Sequence, residues 1–143
     1  MKIKELMVKN VVTVPSNVPV RKAVKLMNKK RIGCLVVIDY GQITGILTER
    51  DILKRVVEEG KNPQKTKISQ IMTKHVIVGN PNMELTEAAK LMFVNRVKKL
   101  PLVDGRHLVG LVTLTDIARV TSVDQKTVLL VEKLSNMHLI QSL

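Results

Sequence analysis

"GILTERDI" at residues 45–52 and "GLVTLTDI" at 110–117 share a Gly, an apolar run, a Thr and, three residues beyond the Thr, an Asp followed by Ile. Each stands where a strand-like segment runs into a helix-like one. Placing Ile3 over Ile68 carries this match outward: residues 3–55 align with 68–120 without a gap, and 16 of the 53 pairs are identical. The identities include Met7/Met72, Ala23/Ala88, Met27/Met92, Arg31/Arg96, Leu35/Leu100, Asp39/Asp104, Gly45/Gly110, Thr48/Thr113 and Asp51/Asp116. Two copies of one unit therefore make up most of the chain.

Periodicity gives each unit its elements. "VVTV" at 11–14 is a β-branched run ended by Pro15, which predicts a short strand and a turn. Val20, Ala23, Val24 and Met27 follow at i, i+3, i+4 and i+7 with lysines off the stripe, so an amphipathic helix is expected, with Pro19 suiting its start. Leu85, Ala88, Ala89 and Met92 repeat that stripe. "CLVVI" and "ITGIL" read as strands joined by a hairpin turn at "DYGQ", and a second helix is expected from about Asp51 to Gly60. The fold class is α/β, two tandem β-α-β-β-α repeats: residues 1–60, then 61–122 after a polar linker at 58–67, then a helical tail at 123–143. A repeat this small cannot bury both helical stripes alone, so the two copies should pack together. Val128, Val131 and Leu134 with Leu130 give the tail its own stripe, suited either to an oligomer contact or to packing as a terminal helix.

Composition narrows the chemistry. The 143 residues are 45% hydrophobic, enough for a core, and carry 24 Lys+Arg against 12 Asp+Glu, a formal charge of +12 that favours anionic partners. Cys34 is the only cysteine, so no intrachain disulfide forms. The opening "MKIKELMVKN" lacks the apolar core of a signal peptide, and the longest apolar run falls far short of the roughly 20 residues of a membrane span. A cytoplasmic protein without a membrane span is expected. His75, His107 and His138 are scattered without Cys or carboxylate at metal-ligand spacing, and nothing forms a catalytic set. No enzyme, metal or catalytic cofactor is expected.

The Thr-x-x-Asp pair has two readings. At a helix start it is a capping box, closing its own N-terminus. The same place can hold a ligand: a helix N-terminus and a Thr hydroxyl attract phosphate, and an ionised Asp accepts both hydrogens of a ribose diol. Thr48 and Asp51, or Thr113 and Asp116, would then grip the two ends of a sugar phosphate. Gly45 and Gly110 would let a ring approach the strand. Arg50 adds a cation in the first copy, where the second has Thr115.

The tandem units, with "IGCLVVID...GQITGILTERDIL" and "VKKLPLVDGRHLVGLVTLTDIA", closely resemble the cystathionine β-synthase (CBS) domain, and the pair resembles a Bateman module over about residues 3–121. The resemblance implies pseudo-twofold symmetry between the repeats. It also implies clefts between them for adenosine-containing ligands (AMP, ADP, ATP or S-adenosylmethionine) and, in many members, a homodimer. Carried over by position, it makes Asp51 and Asp116 ribose acceptors and Thr48, Arg50, Thr113 and Thr115 phosphate-side donors. Gly45, Ile46, Gly110 and Leu111 line the strand side. It sets His75, Val76 and Ile77 beside Asp51 and Asn10, Val11 and Val12 beside Asp116, with Lys98 and Lys99 toward phosphates. Gly33 and Cys34 stand where Lys98 and Lys99 would be in the first copy, so the two sites need not be equivalent.

A regulatory ligand-binding module signalling to a separate effector protein is the expected function, because the repeats leave little room for an enzyme domain. The rival reading is binding of nucleic-acid backbone by the basic surface. Tyr40 and Phe93 are the only aromatics, which argues against a base-stacking platform. A structural adaptor with Thr and Asp acting only as caps is the third reading.

Overall fold

The computed structural model describes residues 1–120 and 125–142. They form two compact units, Val11–Val76 and Met1–Asn10 with the described residues from Ile77 onward.

In the unit Val11–Val76, β1 (Thr13–Val14) runs parallel to β2 (Cys34–Asp39), which pairs antiparallel with β3 (Gln42–Thr48). Tyr40 and Gly41 between β2 and β3 both have positive φ (53° and 76°), as a two-residue hairpin turn with the native twist requires. Helix α1 (Val20–Lys30) buries Val20, Ala23 and Met27 of the expected stripe, packs Val24 half-buried against the same core, and leaves its lysines in solvent. Helix α2 (Glu49–Ile52) starts two residues earlier than periodicity suggested, because Thr48 is its N-cap. It widens into a π-helical turn, Leu53–Val57, in which the Glu58 N–H bonds the Leu53 carbonyl at 2.9 Å. A short helix α3 (Ile68–Ile71) ends this unit's described elements; at four residues it is too short to show a periodicity of its own.

In the other unit, α4 (Leu85–Asn95), the hairpin β4 (Lys99–Asp104) and β5 (His107–Thr113), and α5 (Leu114–Val120) repeat the pattern. The expected leading strand shrinks to a single parallel bridge, Gly79 to Leu102. Its residues explain this: Val14, Pro15 and Ser16 of the first copy become Gly79, Asn80 and Pro81, and Pro81 has no N–H for a ladder. The tail forms α6 (Gln125–Ser142), whose Val131 and Leu134 are buried in this unit's core, so it packs as a terminal helix. The side chains of Val128 and His138 lie outside the described residues.

The start of each sequence repeat packs with the other repeat's sheet. Ile3 is fully buried among Met92, Leu100 and Ile117, while its counterpart Ile68 is fully buried among Val20, Leu35 and Leu47. Burying such a side chain contributes about 1.5–3 kcal/mol, enough to hold a short leader in place. Backbone pairing completes the exchange: Val8 and Leu111 swap N–H···O bonds of 2.9 and 3.0 Å, as do Thr73 and Ile46 at 2.9 Å each. The exchanged leaders thus lie along β5 and β3, beside the two Thr-x-x-Asp junctions.

Candidate functional site

At the β3–α2 junction the capping box is real. The Asp51 N–H donates to Thr48 Oγ1 (3.2 Å), and Thr48 returns its own N–H (3.0 Å) and hydroxyl (3.1 Å) to Asp51 Oδ2. The other oxygen, Oδ1, accepts the Thr73 hydroxyl at 3.1 Å and faces the Arg55 guanidinium at 3.8 Å. Arg55 also donates to the carbonyls of Ile71 (3.0 Å) and Met72 (3.2 Å), tying the exchanged leader to this helix. Asp51 is 7% exposed, and both its oxygens are engaged within its own unit.

The β5–α5 junction repeats the box with one partner missing. Thr113 gives its N–H (2.9 Å) and hydroxyl (2.9 Å) to Asp116 Oδ2, and the Asp116 N–H returns to Thr113 Oγ1 at 3.2 Å. Here the counterparts of Thr73 and Arg55 are Val8 and Val120, neither of which can donate from its side chain. Among the described residues nothing bonds Asp116 Oδ1.

The charges around the junctions differ as well. Lys99 pairs with Thr113 across the hairpin, and the Lys98 carbonyl accepts the Leu114 N–H at 2.8 Å, so both lysines flank the Thr113 cap. Burial, with the neighbouring Lys99 charge adding to it, pushes the Lys98 ammonium below the ordinary lysine range. In the other unit the equivalent backbone is Gly33 and Cys34, and the Glu49 carboxylate fills the space beside Gly33. Arg50 and Thr115 are both exposed on the first turns of their helices.

Other expected positions separate. Of His75, Val76 and Ile77, the first two belong to the unit of Asp51, whereas Ile77 packs on the other unit's core. Asn10 shares a unit with Asp116, whereas Val11 and Val12 belong with β2, where the Val12 carbonyl accepts the Val36 N–H at 3.3 Å. The residues that reach the junctions from the leaders are Thr73 and Val8, two positions earlier than His75 and Asn10. Ile46 and Leu111 are their backbone partners. The space over Gly45 and Gly110 is already taken: a methyl there would collide with Met72 and Met7, respectively. These glycines admit a methionine of the exchanged leader, and a ligand ring would have to displace it. Thr73, Arg55, Met7 and Met72 escaped the reading of the sequence, although the Met7/Met72 identity was its visible trace.

No group of His, Cys, Asp and Glu among the described residues could hold a metal ion, and no helix among them is long and apolar enough to cross a membrane. The two aromatics occupy separate environments: Tyr40 stands exposed at a hairpin tip, and Phe93 packs on the core beneath Lys133, whose nitrogen lies 5.8 Å from the ring centre.

The CBS domain family model matches this chain twice, over residues 3–58 and 68–122. The chain belongs to the CBS-domain family. It is 38% identical over 116 residues to the CBS domain-containing protein YhcV of Bacillus subtilis, covering 81% of this chain and 82% of that one. Inosine-5'-monophosphate dehydrogenase of Methanocaldococcus jannaschii is 36% identical over 120 residues, 82% of this chain but only 23% of that enzyme. Among solved structures, the conserved CBS domain protein TA0289 of Thermoplasma acidophilum superposes with a TM-score of 0.84 at 30% identity, covering 96% of this chain and 76% of that one. A hexameric CBS-CP12 protein from bloom-forming cyanobacteria gives 0.78 at 32% identity, covering 85% and 72%. A CBS pair is thus shared by proteins of very different size, and the match to the dehydrogenase carries no catalytic domain with it.

Proposed function

We propose that this CBS pair is a regulatory module that binds an adenosine-containing ligand (AMP, ADP, ATP or S-adenosylmethionine) and passes its occupancy to a separate effector protein, with the Asp116 junction as the principal ligand site. The observation that carries this reading is Asp116 Oδ1, unbonded among the described residues, in the first turn of α5 beside a cap flanked by Lys98 and Lys99. A carboxylate oxygen without a partner is an acceptor for a ribose diol, and two crowded ammonium groups gain from an anion. The Asp51 junction is the weaker candidate: its carboxylate is saturated by Thr48, Thr73 and Arg55, and Glu49 rather than a lysine stands next to it. Thr48 and Thr113 serve there as caps that orient the carboxylates, and Thr115 and Arg50 are the exposed groups left for a phosphate. Assembly into a homodimer follows the family pattern and is part of the same proposal.

Isothermal titration with AMP, ADP, ATP and S-adenosylmethionine tests it. At least one should bind, and Asp116→Ala should weaken that binding by about ten- to a hundredfold, the worth of a hydrogen bond to a charged acceptor. Asp51→Ala should change it far less. Absence of binding at millimolar ligand, or a loss confined to Asp51→Ala, overturns the assignment.

A further inference from the structure

A second feature lies within the Val11–Val76 unit and is independent of the nucleotide reading. Between β1 and α1 is a surface groove of about 360 Å³. Its lining combines buried Val14 and half-buried Val18 and Leu26, which make an apolar floor, with exposed Thr13 and Pro15 at one side and exposed Lys22, Lys25 and Lys29 along α1. The three lysines fall at i, i+3 and i+7, so they form one stripe about 10 Å long on a single helix face. All three are exposed, and no ion pair among the described residues involves them. No Asp or Glu occurs from residue 6 to 38, a stretch that holds seven Lys and Arg residues. Its positive field is therefore uncancelled along the sequence.

The duplicated fold supplies its own control. In the second repeat the lysine positions are Glu87, Lys90 and Val94, and lining positions Val14 and Pro15 become Gly79 and Asn80. The equivalent helix α4 is built without a lysine stripe, so the stripe is not a requirement of the helix. We propose that this groove docks an acidic segment of a partner protein, one that sets a bulky apolar side chain on the floor and carboxylates at helical spacing along the rim. Charge complementarity selects an anionic occupant, and the recessed apolar floor selects among anions. A nucleic-acid backbone has no use for that floor, and no aromatic side chain lines it for a base.

The test uses the full chain and a fluorescein-labelled synthetic helix with Glu at i, i+3 and i+7 and Leu on the adjoining positions, followed by anisotropy. The helix should bind, and Lys22→Gln/Lys25→Gln/Lys29→Gln should weaken it about tenfold, whereas the triple Arg variant should retain it. The Leu-to-Ala version of the helix should also bind at least about tenfold less tightly, because the floor is then left unfilled. Equal binding by the triple Gln variant, equal binding of the Ala version, or no binding at millimolar helix overturns the proposal. So does lysine-dependent binding of a short DNA duplex or of phosphatidylserine vesicles without binding of the helix. Because the three lysines are exposed, the variants should melt with the parent, and the triple Arg variant separates lost charge from lost fold.

Discussion

The Thr73 hydroxyl donates to Asp51 Oδ1 at 3.1 Å, although Thr73 and Asp51 belong to different sequence repeats. Exchange of the leaders brings them together, and the same exchange sets Val8 along β5 in the other unit. Two junctions with the same Thr and Asp thereby acquire different chemistry. In one the carboxylate has both oxygens engaged, and in the other only one oxygen is bonded among the described residues.

That difference can be exchanged by mutation. Val8→Thr should bring a hydroxyl to Asp116 Oδ1 and weaken nucleotide binding roughly five- to tenfold in a titration, since the diol must then displace an internal donor. Thr73→Val should cost about 1–2 kcal/mol in urea unfolding, because it removes a hydrogen bond to a charged, mostly buried acceptor. Val8→Thr with unaltered affinity would dissociate Asp116 Oδ1 from ligand binding.

Lys98 sets fold against binding. Its folded value lies below the ordinary 10.5, from burial and then from Lys99. The charged form is therefore disfavoured in the folded state, a penalty fully present below the folded value and relieved as pH rises from there toward 10.5. Lys98→Met should accordingly raise the melting temperature at neutral pH while weakening phosphate-bearing ligands and leaving adenosine almost unaffected. Affinity of the parent for those ligands should begin to fall at a lower alkaline pH than an ordinary lysine would give. Melting curves and titrations across an alkaline pH series check both halves.

Gly110 and Met7 should be energetically coupled. A methyl on Gly110 would collide with the Met7 side chain from Cβ to Sδ, so Gly110→Ala should destabilise by about 1–3 kcal/mol. Combined with Met7→Ala, it should cost less than the two changes added, with a coupling of about 1 kcal/mol in a double-mutant cycle. Gly45→Ala should be the more damaging of the two glycine changes, because its methyl would also press on the Thr73 carbonyl at 3.0 Å, where only backbone can yield.

Much of this was legible in the sequence because the fold is written twice. The Ile3–Ile68 offset gave the repeat, the stripes gave α1 and α4, and Thr48 with Asp51 announced its capping box. The leaders were harder to read. Ile3 and Ile68 lie in segments of hardly more than one helical turn, and which sheet they join depends on tertiary packing rather than local pattern. Thr73 was invisible for a second reason: its counterpart is Val8, so a search for shared residues passes over it. The lysine rim of α1 reads as an ordinary solvated face until β1 is placed beside it. Lys98 and Lys99 were recoverable from the opposite signal, a departure between copies.

The same contrast between repeats gives an acid-stability prediction at Asp39. Its carboxylate accepts the Ser16 N–H at 3.0 Å and the Thr44 hydroxyl at 2.6 Å, bonds that hold it below the usual carboxylate value of 3.8. Unfolded, it takes up its proton more readily. The stability it adds is therefore complete above the unfolded value and is lost as pH falls from there through the folded one. Asp39→Asn should lower stability at neutral pH and flatten the acid limb of the melting-temperature profile. At the repeat-equivalent Asp104, Pro81 has no N–H and Val109 no hydroxyl, so neither bond can form. Asp104→Asn should then leave the acid limb as it is, and a matching change in both variants would trace the effect to net charge instead of to the bonds of Ser16 and Thr44.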